Sequence, residues 1–263
     1  IAAGHTFTTK SDTEVLLHGY EQWGVDLLQR VRGMFTFVIW DKNKQELFGA
    51  RDHFGIKPFY YAKMNGTFMY ASEIKSLLRH PDFVKELNAE ALKPYMTFQY
   101  PAIGETFFKG VYKLPEGHYF TYRDGKMDIH RYYDEDFREG KQKLGELVNS
   151  IDQTVCDSVK AHQIADVEVG SFLSSGVDSS YVAAVARPQH TYSIGFGKGT
   201  YNESQQAGEL AELLKLNNTA ESLTDEEAFA AFPRIQWHLD EPDSNPSCVP
   251  LYFLSALAAK DVK

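Results

Sequence analysis

Residues 167–180 read VEVGSFLSSGVDSS, and the fold of the second half of the chain follows from this stretch. Val167, Val169, Phe172 and Leu173 make a short apolar run with β-branched residues, the pattern of a buried strand. Ser174, Ser175 and Gly176 then form a small-residue turn. Asp178-Ser179-Ser180 opens a segment, Tyr181 to Ala186, whose alanines and valines continue as a helix. Strand, tight turn and helix in that order aim free backbone N–H groups and the positive end of a helix dipole at one spot ringed by hydroxyls, which suits an anion.

The turn is not a Walker loop, which needs Gly, four residues and Gly-Lys-Ser/Thr, because no lysine follows Gly176. A helix end contributes on the order of 1 kcal/mol per neighbouring charge, too little to neutralise a polyphosphate. A Mg²⁺ ion is therefore expected, with Asp178 as the carboxylate placed to hold it. The simpler alternative makes Asp178 an N-cap worth roughly 1 kcal/mol and the serines turn formers. The stretch resembles the S-G-G-x-D-S pyrophosphate loop of the ATP pyrophosphatases, enzymes that adenylate a substrate and release pyrophosphate. Ser174, Gly176, Asp178 and Ser179 match that pattern. Ser175 stands where the family usually has glycine, which matters if the backbone there needs a positive φ or a very close approach to the ligand.

A length of 263 residues suggests two domains of about 150 residues each. Hydrophobic content is 43% and charged content 24%, and no apolar run nears the roughly 18 residues of a membrane helix, so a soluble chain without a membrane partner is expected. The net charge of −9, with no cluster of Lys and Arg, argues against a nucleic-acid partner. Cys156 and Cys248 lie far apart with no Cys-x-x-Cys pairing, which predicts neither a disulfide framework nor a zinc site and fits a reducing, cytoplasmic setting. None of the nine histidines pairs with another at helical ligand spacing, and no transition metal is assigned. The opening residues lack both a signal-peptide pattern and an initiator methionine, and Asp261-Val262-Lys263 resembles the start of a strand. The chain is expected to be a fragment cut at both ends.

From the first residues onward, Ser11 or Asp12 caps a helix carrying Val15, Leu16, Leu17 and Tyr20, and Gly24 ends it. Residues 34–40, MFTFVIW, are too apolar to alternate and predict a strand buried on both faces, with residues 46–51 as its hairpin partner. Residues 57–63 and 67–71 form a second hairpin turned at Asn65-Gly66. Short helices are expected over 73–79 and 88–97, and the aromatic-rich stretch 106–134 predicts more antiparallel sheet. From Lys141 the period changes. Leu144, Leu147, Val148, Ile151, Val155 and Val159 mark a long amphipathic helix, with Cys156 beside the stripe as a core residue. A strand over 190–196 and helices over 203–215 and 225–238 complete an alternation that predicts a doubly wound parallel sheet with ligands at its strand ends. The domain boundary is expected in the charged segment 134–143, giving units 1–138 and 139–263.

Both halves resemble one family. Gly33-Met34-Phe35-Thr36-Phe37, residues 49–58 (GARDHFGIKP) and residues 109–118 (KGVYKLPEGH) resemble the glutamine-dependent asparagine synthetases, as do residues 192–196 (YSIGF) and Leu239-Asp240-Glu241-Pro242. The resemblance implies an α+β class II amidotransferase domain with antiparallel sheets, lacking its amino-terminal part. It implies next an α/β doubly wound ATP-pyrophosphatase domain lacking its carboxyl-terminal part. It also implies the reaction. Glutamine is hydrolysed in the first domain, and ammonia crosses to a β-aspartyl adenylate formed from aspartate and ATP with Mg²⁺, so that asparagine, AMP and pyrophosphate leave.

The resemblance carries residue roles with it. Asp12 matches a Ser-Asp step whose carboxylate binds the α-amino group of glutamine, with a helix cap as the alternative. ATP and pyrophosphate contacts fall on Phe172, Leu173, Ser174, Ser175, Gly176, Val177, Asp178, Ser179 and Ser180, and on Ile194 and Gly195, with core packing as the alternative for Phe172 and Ile194. Met34 and Ile56 are assigned equally to an apolar ammonia passage or to the core. Asp240, Glu241 and Asp243 form an acidic loop that either shapes the aspartate pocket or is a solvated turn, the latter preferred for Glu241. The family's nucleophile is an amino-terminal cysteine, which neither Cys156 nor Cys248 can replace, and a later Ser-Gly-Glu-Gly-x-Asp-Glu loop would begin beyond Lys263. By itself the chain is expected to be inactive. The partners are small molecules, and a homodimer is left open. Relatives that act on a peptide, sugar or β-lactam-forming carboxylate, and a non-catalytic nucleotide-binding module, are the competing readings.

Overall fold

The computed structural model describes residues 3–197 and 204–262. The chain divides into two compact units, Ile1–Phe137 and Arg138–Lys263.

In the first unit, helix α1 (Asp12–Trp23) is capped by Ser11, whose hydroxyl accepts the Thr13 N–H at 3.1 Å, and Gly24 closes it with φ 57°. Strands β1 (Thr36–Asp41) and β2 (Glu46–Arg51) form an antiparallel hairpin with Asp41 opposite Glu46. Strands β3 (Tyr60–Met64) and β4 (Thr67–Ala71) form the next, turned at Asn65 and Gly66, whose φ values of 50° and 83° are those a two-residue hairpin turn needs. Helices α2 (Ile74–Leu77) and α3 (Leu92–Phe98) are shorter than their sequence patterns predict. Strands β5 (Val111–Lys113), β6 (His118–Arg123) and β7 (Lys126–Arg131) follow, giving two antiparallel sheets ordered β1-β2-β6-β7 and β4-β3-β5.

The four-stranded sheet is apolar on both faces. Ile39, Phe48 and Ala50 pack with Leu28 in one cluster, while Val38 and Leu47 pack with Phe120, Phe59 and Leu114 in another. The alternation of a strand sends neighbours such as Val38 and Ile39 to opposite sides. The expectation of a strand buried throughout over 34–40 is corrected. The strand starts at Thr36 and runs along the sheet edge, and an edge leaves Trp40 exposed.

The second unit holds helix α4 (Leu144–His162), strand β8 (Ser171–Phe172), helix α5 (Val177–Ala186), strand β9 (His190–Phe196), helix α6 (Ser204–Leu214), strand β10 (Asn217–Leu223), and helices α7 (Asp225–Leu239) and α8 (Cys248–Ala258). Its strands form a parallel sheet ordered β10-β9-β8. Leu173 packs with Ala183 of α5 and Ala207 and Ala211 of α6, while Tyr192 packs with Leu257 and Ala258 of α8.

Several sequence expectations change here. The strand expected from Val167 shrinks to two residues, and Val167 is exposed. Strand β10, NNTAESL, was invisible as an apolar pattern. It is held by backbone pairing with β9 along its full length, helped by Thr191 Oγ1 donating to the Asn217 carbonyl at 3.0 Å and Ser193 Oγ to Asn218 Oδ1 at 3.1 Å. On α4 only Val159 is buried. Leu144, Leu147, Val148 and Ile151 are exposed, and Cys156 is half-buried where a core position was expected. Glu203 of the expected helix 203–215 lies outside the described residues. A turn over 259–261 follows α8, Val262 packs against the Tyr192 cluster, and Lys263 lies outside the described residues.

Candidate functional site

The serine loop is built by hydroxyls bonding to backbone. Ser174 Oγ and Ser179 Oγ are 2.8 Å apart. The Ser174 N–H donates to Ser179 Oγ at 3.2 Å, and the Gly176 N–H donates to Ser174 Oγ at 3.1 Å. Ser180 Oγ donates to the Gly176 carbonyl at 2.6 Å. These bonds fold residues 174–176 back over the first turn of α5 and consume two of the loop's N–H groups. The N–H groups of Ser175, Val177, Asp178 and Ser179 have no acceptor among the described residues. That leaves an array of donors at a helix start, the arrangement that attracts an anion.

Gly176 is the N-cap of α5, with extended backbone and no side-chain cap. The alternative that makes Asp178 the cap is therefore corrected. Asp178 is the second helical residue, too far along to accept the capping bond, and its exposed carboxylate has no partner among the described residues. Ser175 is absent from the positive-φ residues, so its Cβ carries no backbone penalty where a glycine was expected. One free carboxylate beside unpaired N–H groups and hydroxyls fits Mg²⁺, which commonly takes one or two carboxylates and fills its shell with phosphate oxygens and water.

Register places the loop at the carboxyl end of the parallel strands. Phe172 lies opposite Tyr192, the Leu173 N–H donates to the Tyr192 carbonyl at 2.8 Å, and Ser193 Oγ donates to the Leu173 carbonyl at 2.8 Å. A cleft of about 580 Å³ opens there, lined by Phe172, Leu173, Ser174, Ser179, Ile194 and Phe196 and, from across it, by Ser247, Pro250, Leu251 and Leu254. Five of the predicted nucleotide residues thus share one cavity. Ser175 and Gly176 lie on the exposed turn beside it and Val177 and Asp178 on the exposed start of α5, Ser180 faces back to Gly176, and Gly195 is buried in β9 between two lining residues. Phe172 is 40% exposed, which removes plain core packing as its role. The α8 contribution was missed, although Ser247, Pro250, Leu251 and Leu254 recur at the three- and four-residue steps of a single helical face.

In the first unit Asp12 is exposed at the start of α1, its Oδ1 accepting the Ser11 and Thr13 hydroxyls at 3.4 Å each. Ser11 holds the cap, so Asp12 is free of that duty. Met34 and Ile56 are 44% and 54% exposed, and the core alternative fails for both. The loop after β2 is fixed by two adjacent side chains. The Arg51 guanidinium donates to the carbonyls of Lys57, Leu114 and Gly55 at 2.7–2.8 Å. Asp52, 1% exposed, accepts the N–H groups of Phe54, Ile56 and Lys57 at 2.9–3.2 Å. Burial pushes the Asp52 carboxyl up, but these backbone donors outweigh it and hold the group below its ordinary range. Sequence reading overlooked this pair. The solvated turn preferred for Glu241 is also corrected: Glu241 is 7% exposed in the segment that links α7 to α8.

Residues 1–133 match the family described as the glutamine amidotransferase domain, and residues 150–263 match asparagine synthase. Over 99% of its length the chain is 40% identical to glutamine-hydrolysing asparagine synthetase 1 of Bacillus subtilis, of which it covers 42%. The chain belongs to the glutamine-dependent asparagine synthetase family. Within the family it is also 35% identical, over 81% of the chain and 31% of the relative, to glutamine-hydrolysing asparagine synthetase 2 of the same organism. A more distant relative is the amidase chry2 of Gibberella zeae, 28% identical over 90% of the chain and 38% of that protein. The chain thus spans less than half the length of each of these relatives. Among the described residues no helix is long and apolar enough to cross a membrane.

Proposed function

We propose that this chain carries the glutamine-binding and ATP-activating parts of a glutamine-hydrolysing asparagine synthetase, with residues 1–138 as the amidotransferase domain and 139–263 as the synthetase domain. The carrying observation is the serine loop: unpaired N–H groups of Ser175, Val177, Asp178 and Ser179 beside a cleft that also holds Ile194 and Phe196. Adenosine suits the apolar walls, and the leaving pyrophosphate suits the loop. A free carboxylate is a poor acyl donor to ammonia until adenylation gives it a leaving group, and a closed site protects the adenylate from water. Asp178 would hold Mg²⁺, which supplies charge neutralisation to the departing phosphates. The parallel sheet fits a doubly wound domain with its ligand at the strand ends.

In the first unit, Asp12 would receive the α-amino group of glutamine. The partners of this reading are the small molecules glutamine, aspartate and ATP, in a cytoplasmic enzyme. The similarity to an amidase keeps another carboxylate acceptor as the second reading. The deciding experiment supplies the full-length gene product with ATP, Mg²⁺, glutamine and aspartate. Asparagine and AMP in equal amounts are expected. ADP in place of AMP would sink the pyrophosphate-loop reading, and adenylation without any dependence on aspartate would favour the second acceptor. In the same assay Asp12→Asn should weaken glutamine use while synthesis from free ammonia persists.

A further inference from the structure

We propose that His5, His18 and Glu21 of the first unit form a binding site for a first-row divalent transition ion of the Zn²⁺ type. One nitrogen of each ring and a carboxylate oxygen of Glu21 lie within 4.8 Å of one another. Both imidazoles present the same atom to the same oxygen: His18 Nδ1 is 2.8 Å and His5 Nδ1 is 3.5 Å from Glu21 Oε2.

The far side of each ring is engaged separately. His5 Nε2 meets Gln22 Oε1 at 3.1 Å, and His18 Nε2 lies 3.7 Å from Glu14 Oε1. The Thr6 backbone also accepts a hydrogen bond from the His18 ring. Glu14 is itself fixed by the N–H groups of Thr8 and Thr9 at 2.7 and 2.6 Å. Glu21 Oε2 accepts the Nδ1 proton of His18 at 2.8 Å and lies 3.5 Å from Nδ1 of His5. A divalent ion that replaces that proton meets two imidazole nitrogens and a carboxylate oxygen at one point. A proton on His18 serves one ring only, whereas a metal ion serves all three groups.

Outer acceptors that fix ring orientation are the usual support of metal-binding histidines. Two imidazoles and one carboxylate form a donor set suited to Zn²⁺ rather than Mg²⁺, with a fourth position left for water. His18 and Glu21 sit three residues apart on α1, while His5 comes from the segment before it. That origin is why no pair of histidines at helical spacing revealed the site. A bound ion would tie residues 5–9 to α1 ahead of Asp12.

The test titrates ZnCl₂ into the metal-stripped 263-residue chain at neutral pH by calorimetry and follows the melting temperature. One ion per chain and a higher melting temperature are expected, and Co²⁺ should give d–d bands with no thiolate charge-transfer band. Gln22→Leu should cost about tenfold in affinity, and His5→Ala or His18→Ala more than the roughly 100-fold upper range of an outer-partner loss. His162→Ala on α4 should change nothing. Far-UV circular dichroism checks each variant, and His5→Gln replaces any that fails to fold. Near wild-type affinity in the His5 variants, a thiolate band pointing to Cys156 or Cys248, or no Zn²⁺ bound would each overturn the proposal.

Discussion

Ser174 Oγ and Ser179 Oγ stand 2.8 Å apart across the turn that starts α5, and the Ser179 hydroxyl also receives the Ser174 N–H. One side chain thus bonds to both the backbone and the side chain of Ser174, which sets the direction of the N–H groups between them. Ser179→Ala should remove bonds worth about 1–2 kcal/mol in total. The expected readout in the chain is roughly tenfold weaker binding of Mg²⁺-pyrophosphate. Unchanged binding by calorimetry would mean that the loop does not contact the anion.

Asp178→Asn separates a charge role from a structural one. The carboxylate is exposed, has no partner among the described residues and is not the helix cap, so the melting temperature without ligand should move little. The stabilisation that Mg²⁺-pyrophosphate adds to the second unit should fall by most of its value, because a neutral amide is a poor ligand for a hard cation. Equal stabilisation of variant and wild type would place the metal elsewhere.

The loop was legible in the sequence because its residue types have few other uses: consecutive serines and a glycine between an apolar run and an alanine-rich helix leave little choice of structure. Asn65-Gly66 was legible for the same reason, since only a tight turn wants two left-handed residues in succession. Strand β10 was hidden because its pairing is made by backbone groups and by the hydroxyls of Thr191 and Ser193, which leave no apolar period. The α8 wall of the cleft has a readable period, but which face meets the serine loop depends on contacts far apart in sequence. Burial failed along α4 because periodicity reports that a stripe exists and not what covers it.

Asp52 offers a test in the first unit. Its buried carboxylate gathers three N–H groups of residues 54–57, and its pKa is held below the ordinary range although burial alone would raise it. A depressed folded-state pKa adds stability at neutral pH that is lost as pH falls through the folded value. Asp52→Asn should cost about 2–3 kcal/mol at neutral pH, with the gap to wild type narrowing in acid. Urea unfolding at several pH values measures this. A gap that stays constant with pH would assign the loss to packing and not to charge.

Glu14 carries the sharpest pH prediction. Its carboxylate accepts the Thr9 hydroxyl and the Thr8 N–H at 2.7 Å, and further the Thr9 N–H at 2.6 Å and the Thr8 hydroxyl at 3.0 Å. The Thr9 hydroxyl and then the Thr8 backbone bond do most to lower its pKa from 4.5 to about 2. Because the folded value is the lower one, the docking of residues 8 and 9 onto α1 is fully supported above pH 4.5 and is lost as pH falls toward about 2. Carboxyl-detected NMR should place the Glu14 midpoint near 2, and amide exchange at Thr8 and Thr9 should accelerate over that interval. Glu14→Gln should produce fast exchange at both amides already at neutral pH, because a neutral amide cannot accept all four bonds as strongly as a carboxylate. The mutation should leave the exchange of β9 in the second unit untouched. A Glu14 midpoint at its ordinary value, or protected Thr8 and Thr9 amides in the variant, would show that the segment is held by other contacts.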